Sequence, residues 1–366
     1  MLIEQYTAED AATERSCIAE SLRDIFCTCY ESGDESHHMF QNQRMPIPSD
    51  SLPSVVENLL EFLKESVEIL EAMYKEVDFE DREMEDARNE FEEEAGEEKD
   101  CVENLLDALG YIIRFAGNSI APLYQQYISP FCAKYMASPF EYILFVGVCS
   151  MDDLMLYAPD VVAPVVNDLL GFFHQHMHCE DPALRQAVLF GVKVAIERFN
   201  AVVAPQAQAI LSALLRVAQS QEAEDEKYAS ATDNALSAIF SLLLGCPGNL
   251  GPSQADQALQ LFVSHLPLME DVAEAQDVHE RVVMELEKPN HGLFNNKNVM
   301  DAVMQALPMM LLPTYDDGDN EYEITYDETK MEIMKILKSL DRRQLNGLLN
   351  GLEPDMRMAV NSILSN

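Results

Sequence analysis

His174, His176, His178 and Cys179 form a His-x-His-x-His-Cys run, a set of residue types that could hold a metal ion. On a helix only His174 and His178, four positions apart, share a face. No carboxylate or third ligand is evident on that face, so the run reads as the polar end of a helix, and no metal is expected. Cys27 and Cys29 point to opposite sides of a helix and read as one core and one boundary position. There is no Walker-type glycine loop, no G-x-G-x-x-G and no G-x-S-x-G. No catalytic residue and no cofactor is expected, and the chain is not read as an enzyme.

What remains is the chemistry of carboxylates and amides. The candidate partner-binding residues are Asp152, Asp153, Asn167, Asp168, Asp233, Asn234, Glu270 and Asp271, with an acidic loop carrying Glu92, Glu93, Glu94, Glu97 and Glu98. Such groups accept charge-assisted hydrogen bonds from Lys and Arg. The competing reading is structural: the same residues can cap helices and bond from one repeat to the next. Two adjacent carboxylates cannot share a helix face. One of Asp152 and Asp153 is therefore expected to cap or pair within the fold while the other reaches solvent.

Composition narrows the partners. The 366 residues include 64 Asp and Glu against 24 Lys and Arg, a formal net charge of −40. A surface this negative repels phosphate backbones and anionic lipid and attracts basic segments. With 48% apolar residues the chain is not a disordered acidic tail. The eight cysteines are scattered without a C-x-x-C pair and read as reduced, buried thiols. The first residues show no secretory pattern, and the apolar runs read as too short to span a bilayer, so a soluble intracellular protein is expected.

The elements that position these groups are helices. In Val203–Val217 the apolar positions Val203, Ala207, Ile210, Leu214 and Val217 lie on one helical face. The tripeptides Ile120-Ala121-Pro122, Val162-Ala163-Pro164 and Val203-Ala204-Pro205 repeat one pattern, with prolines 42 and 41 residues apart. Each is expected at the first turn of a second helix, where a missing N–H costs nothing. A period near forty with two helices per unit predicts HEAT repeats, which bury their apolar faces only by stacking.

Phasing the rest gives helix pairs at 8–31 and 53–76, 101–116 and 121–136, 138–157 and 161–177, 182–198 and 203–219, 226–245 and 253–265, 270–287 and 296–311, and 327–340 and 343–351, with a closing helix at 354–364. The fold class is all-α, a right-handed α-solenoid of about seven HEAT repeats built from antiparallel helix pairs. The expected division is first helices at 1–76, an acidic insertion at 77–100, the array at 101–314, an acidic loop at 315–326, and a last repeat with its capping helix at 327–366. The insertion, with 13 acidic and 3 basic residues, reads as a helix extension passing into a solvated loop. Asp181-Pro182-Ala183-Leu184-Arg185-Gln186-Ala187 carries the sharpest repeat signature. Asp181 caps the helix, and Arg185 is expected to bond across to the neighbouring repeat.

Four stretches resemble the C-terminal HEAT repeats of the importin-β (karyopherin-β) nuclear transport receptors, closest to the importin beta-3, importin-5-like branch. Cys149-Ser150-Met151-Asp152-Asp153 is similar to that branch's Cys-x-Phe-Asp-Asp. The Asp181–Ala187 stretch, with Gly191, is similar to its Ser-Pro-Glu-Val-Arg-Gln-Ala and following Gly. Ala231-Thr232-Asp233-Asn234-Ala235-Leu236-Ser237-Ala238 is similar to its Ala-Thr-Glu-Asn-Cys-Ile-Ser-Ala. Leu266-Pro267-Leu268-Met269-Glu270-Asp271, with Glu274 and Ala275, is similar to its Leu-Pro-Leu-x-Glu-Asp and Glu-Ala. Order and spacing agree. His265 stands where the branch has Trp, and Met151 stands for Phe.

The resemblance implies a karyopherin architecture and a chain that corresponds to the C-terminal portion of a longer receptor, or to a shortened descendant. It implies basic cargo proteins bearing nuclear-localisation signals, ribosomal or histone-like, as partners. It further implies nucleoporin Phe-Gly repeats, RanGTP with its main site outside this sequence, and shuttling between cytoplasm and nucleus. Two other classes stay open: a HEAT scaffold for a protein complex, and an acidic chaperone for ribosomal proteins or histones.

Overall fold

The computed structural model describes residues 17, 19–21, 23–24, 47–76, 85–315 and 321–365. Most of the helix expected at 8–31, residues 77–84 of the acidic insertion and residues 316–320 of the second acidic loop lie outside the described residues. The chain divides into two compact units, Met1–Leu169 with Cys179–Ala187, and Leu170–His178 with Val188–Asn366.

The helices of seven residues or more are α1 Leu52–Glu76, α2 Glu85–Ala116, α3 Ser129–Tyr135, α4 Glu141–Tyr157, α5 Val166–His176, α6 Pro182–Arg198, α7 Ala207–Ala218, α8 Ala229–Gly245, α9 Pro252–Ser264, α10 Val272–Glu287, α11 Lys297–Ala306, α12 Asp327–Ser339, α13 Arg342–Leu349 and α14 Pro354–Ser365. Among the described residues strands are limited to β1 Thr314–Tyr315 and β2 Glu321–Tyr322, an antiparallel pair. The chain is all-α, and among the described residues its helices follow the expected pairs to within a few residues, except that the helix expected from 101 begins at Glu85.

Pro122 lies in the first turn of Ala121–Leu123 as expected, but Pro164 and Pro205 sit one turn deeper than the spacing suggests. Pro159–Val162 and Asn200–Val203 already form an α-turn, and Ala163–Val165 and Ala204–Gln206 then tighten to 3-10 geometry before α5 and α7. Pro164 and Pro205 have no N–H for the carbonyl four residues back, and their rings crowd it, so the ladder tightens there. Pro164 and Pro205 therefore mark a break within their second helices. Asn200–Ala218, read through that break, is also long and apolar enough to cross a bilayer, against the expectation from apolar runs. Half of it is buried within the protein, as befits a core helix.

The acidic insertion also differs from the expectation. From Glu85 it is the first half of α2 and not a loop. Ala95, Glu98, Val102, Leu105, Leu109 and Ile112, spaced by three and four, are all buried along one stripe. That stripe carries the helix back into the acidic segment. In the first unit α2 packs on α1 and on α4, and α3 packs on α4. Asn118 Nδ2 donates to Asp160 Oδ2 at 2.7 Å, tying the start of one second helix to the next. Asp181 caps α6 through the Leu184 N–H at 2.8 Å. Arg185 donates to the Cys179 carbonyl at 2.8 and 2.5 Å, closing the loop before its own helix.

In the second unit α8 packs on α7, α9 and α10. Every residue from Ala231 to Leu243 is buried, so this helix has no solvent face. Phe240 stacks on Phe262 at 4.3 Å and lies 6.2 Å from Phe294. The polar residues of α8 reach the next repeat. Asp233 Oδ2 accepts the N–H groups of Met269, Glu270 and Asp271 at 3.1, 2.8 and 3.2 Å. Asn234 Nδ2 donates to Asp271 Oδ2 at 2.6 Å, while Asp271 Oδ1 caps α10 through the Glu274 N–H at 3.1 Å. His279 on α10 is fully buried. Its Nε2 accepts the Leu268 N–H at 3.2 Å, which leaves the proton on Nδ1 for the Ile324 carbonyl at 2.7 Å.

Both of these polar anchors, Asp233 and His279, contribute to stability. Asp233→Ala strands three backbone donors and is expected to cost about 3 kcal/mol or more in urea unfolding. Burial lowers the His279 pKa from 6.5 to about 4. The fold therefore holds the neutral ring, and its contribution is complete above pH 6.5 and is lost as pH falls toward 4. The loss is up to about 1.4 kcal/mol per pH unit. His279→Leu should be less stable at pH 7.5 and should flatten that part of the pH dependence of the urea midpoint.

Candidate functional site

α2 and α4 cross in the first unit and leave a cavity of about 170 Å³ between them. α2 supplies Asp107, Gly110, Tyr111 and Arg114, and α4 supplies Asp153 and Tyr157. The spacing of three and four keeps each set on one helix face. A Cβ at Gly110 would stand 2.5 Å from Asp153 Oδ2. Glycine is thus what lets the Asp153 carboxylate lie against α2. The Arg114 guanidinium lies over the Tyr157 ring, 5.1 Å from its centroid.

Burial, then the charge of Asp107, pushes the Asp153 carboxyl up to about 7, with Arg114 opposing. Burial raises the Asp107 carboxyl too, with the Arg23 charge acting against it. Burial lowers Arg114, with Tyr157 and Asp153 acting against it. Two carboxyl groups and two phenol rings thus line the cavity beside one guanidinium, group types that meet Lys or Arg through charge-assisted hydrogen bonds and ring faces. The nearby Cys149 thiol is pushed well above its ordinary range by burial, which leaves it inert.

The structure separates the residues expected to bind partners. Asp153 lines the cavity. Asp152, its neighbour, is turned away into the packing and is buried, and burial and the Asp153 charge raise its pKa. Asp233 and Asn234 are buried and engaged with the next repeat, so they hold the fold and do not face a partner. Burial pushes Asp233 up to about 6 against the three N–H groups it accepts. Asp271 is half-buried and serves as the cap of α10. Asn167, Asp168 and Glu270 are exposed. Glu92, Glu93 and Glu94 stand on α2 and not on a loop; of the rest of that group Glu97 is exposed and Glu98 is buried. The reason is common to all: inter-repeat packing decides which carboxylates keep a solvent face.

His174 and His178 are exposed, and His176 lies against Phe172 with ring centroids 4.3 Å apart. Among the described residues no group of three or more His, Cys, Asp or Glu side chains is placed to hold a metal ion. Sequence reasoning missed Asp107, Gly110, Tyr111, Arg114 and Tyr157. Their signal was the turn-by-turn recurrence of Asp107, Gly110, Tyr111 and Arg114 on one face of a helix. A second cavity, of about 320 Å³, lies in the second unit between α9, α11 and the end of α8. Leu243, Leu250, Leu259, Leu293 and Val299 give it an apolar lining, with Gln260 and Asn296 among the polar residues.

No family profile matches the chain. Over 137 residues, 34% of this chain, it is 30% identical to the probable importin-5 homolog of Dictyostelium discoideum, of which it spans 12%. Its fold matches a crystal structure of a Kap121p mutant with a TM-score of 0.66 at 14% identity, over 97% of this chain and 30% of that one. Kap121p bound to Pho4p gives a TM-score of 0.64 at 15% identity, over 97% and 30%. Kap121p bound to RanGTP gives 0.62 at 13% identity, over 97% and 31%. The chain therefore spans less than a third of the length of these relatives. In sequence the chain resembles a probable importin-5 homolog over about a third of its length, and in fold it resembles Kap121p, a karyopherin.

Proposed function

We propose that this chain is a binding module of the nuclear transport receptor kind, which holds basic cargo proteins for import. The observation that carries the reading is the agreement of two likenesses, one in sequence over 137 residues and one in fold over 97% of the chain. Kap121p is described in complexes with Ste12p, Pho4p, RanGTP and Nup53p. The reading takes cargo, RanGTP and nucleoporin Phe-Gly segments as the partner classes here too, and places the chain in both cytoplasm and nucleus.

The physical chemistry supports the cargo part of this reading. A net charge of −40 steers basic chains toward the surface. The Asp107–Asp153 cavity is a place where one of their side chains can be desolvated between carboxylates and rings. Exposed Asn167, Asp168 and Glu270 add long-range attraction that salt screens. The cavity around Leu259, with apolar Leu250, Leu259, Leu293 and Val299 beside polar Asp256, Gln260, Asn295 and Asn296, is of a size for an aromatic side chain and is where a Phe-Gly segment would insert. A scaffold role predicts association that salt does not alter; a chaperone role predicts that the acidic segment 77–100 carries the binding.

The test is fluorescence anisotropy with a labelled oligolysine peptide and a neutral Gly-Ser peptide of equal length. Oligolysine is expected to bind and to weaken roughly tenfold as salt rises through the physiological range. Asp107→Asn with Asp153→Asn should weaken it by roughly fivefold, about 1 kcal/mol, while Asp225→Asn should not. The Asp153 carboxyl, at about 7, ionises as pH rises from 6 to 8, so binding should tighten over that range in the native chain and not in Asp153→Asn. Binding that ignores salt and both cavity carboxylates would overturn the reading in favour of the scaffold.

A further inference from the structure

α6, α8 and α10 are the first helices of three successive repeats, and the residues concerned, from Val188 on, belong to the second unit. Three ion pairs, made by two cations, join the outer two helices of this trio, passing across the middle one. Lys193 Nζ on α6 reaches Glu274 Oε1 and Asp277 Oδ2 on α10, each at 3.1 Å. Arg281 Nη1 on α10 reaches back to Glu197 Oε1 on α6 at 2.8 Å and also meets Asp277 Oδ2 at 3.2 Å. The arrangement is reciprocal: each outer helix gives one cation and receives the other.

The middle helix is built to let these side chains pass. Ser237 and Ser241, one turn apart on α8, are the small side chains beneath them. Ser241 Oγ donates to Glu197 Oε1 at 2.7 Å and accepts from Arg281 Nη1 at 3.0 Å. The Arg281 guanidinium also lies over the Phe240 ring, 5.3 Å from its centroid. The two rungs differ in access. The side chains of Lys193 and Glu274 are 8% and 5% exposed. Glu197, Asp277 and Arg281 open onto a cavity of about 340 Å³. Burial works against the Lys193 charge, but Glu274, Glu197 and Asp277 outweigh it and raise its pKa, so the cation persists.

Rotation at either junction, α6 on α8 or α8 on α10, would stretch bonds that span both. From this geometry we infer that the pair of rungs is a brace that makes α6, α8 and α10 one rigid body within the second unit. The helical repeats it spans do not flex one by one, and a partner that lands on them meets a preformed surface. The inner rung, shielded from water, holds at high salt; the outer rung is the one that ions in the cavity can loosen. The brace stands apart from the proposed function and needs no partner.

Native-state hydrogen exchange on the full chain tests it. The slowest amides of α6 from Val188, of α8 and of α10 should share one opening step and one denaturant slope. Lys193→Met with Glu274→Met keeps the inner space filled but removes the inner rung. In that variant α6 should part from α10 and exchange at least tenfold faster. Arg281→Met, which leaves the inner rung intact, should keep the common step and abolish its dependence on salt. Unrelated opening of α6 and α10 in the native chain would overturn the brace, whether or not the double variant folds. So would a common step that survives loss of the inner rung.

Discussion

A helix with water on no side is the constraint on which the second unit depends. From Ala231 to Leu243 α8 is buried all round, yet it carries Thr232, Asp233, Asn234, Ser237 and Ser241. A buried polar atom without a partner costs more than the same bond contributes when made. Each of these residues therefore presses a demand on its neighbours. Thr232 donates to the Tyr228 carbonyl, Asp233 gathers the backbone that leads into α10, Asn234 orients the cap of that helix, and Ser241 joins α6 to α10. An all-apolar α8 would pack as densely but could slide along its neighbours. The bonds of Thr232, Asp233, Ser241 and the Asn234 amide N–H fix its register, because only one placement makes them together.

This division of labour explains what was legible in the sequence. Repeat length and helix pairing were readable because stacking imposes the same spacing on every unit, and Pro122, Pro164 and Pro205 mark it. The depth of Pro164 and Pro205 was not readable, since a break one turn inside a helix and a helix start have the same local composition. The fate of the carboxylates was hidden for a different reason. Asp153 and Asp233 look alike in sequence, but one faces a cavity and the other a neighbouring loop. Which it is depends on a helix some 40 residues away. Lys193 did give a warning, standing inside Gly191-Val192-Lys193-Val194-Ala195-Ile196, where a cation needs a counter-charge. Its partner, 81 residues on, could not be named from that.

The charge of the chain has two uses that composition alone merges. Some carboxylates are consumed within the fold: Asp181 and Asp271 as caps, Glu274 and Asp277 around the buried Lys193, and Glu197 in its pair with the half-buried Arg281. Others, such as Asp168 and Glu270, keep a solvent face. Only the second group can supply long-range attraction, so the effective field of the surface is smaller than the formal charge suggests. The Asp107–Asp153 cavity belongs to neither group, because it is partly shielded and still open to an incoming cation.

Gly110 and Asp153 are joined by absence of space. A methyl group on the one would occupy the place of an oxygen on the other. Neither position is free to drift alone: alanine at 110 obliges the Asp153 carboxylate to leave its place against α2. Across descendants of this sequence the two sites should change as a pair, and a lineage that fills position 110 has moved or given up the carboxylate. A one-carbon difference in the wall of α2 thus records whether the cavity still has a use.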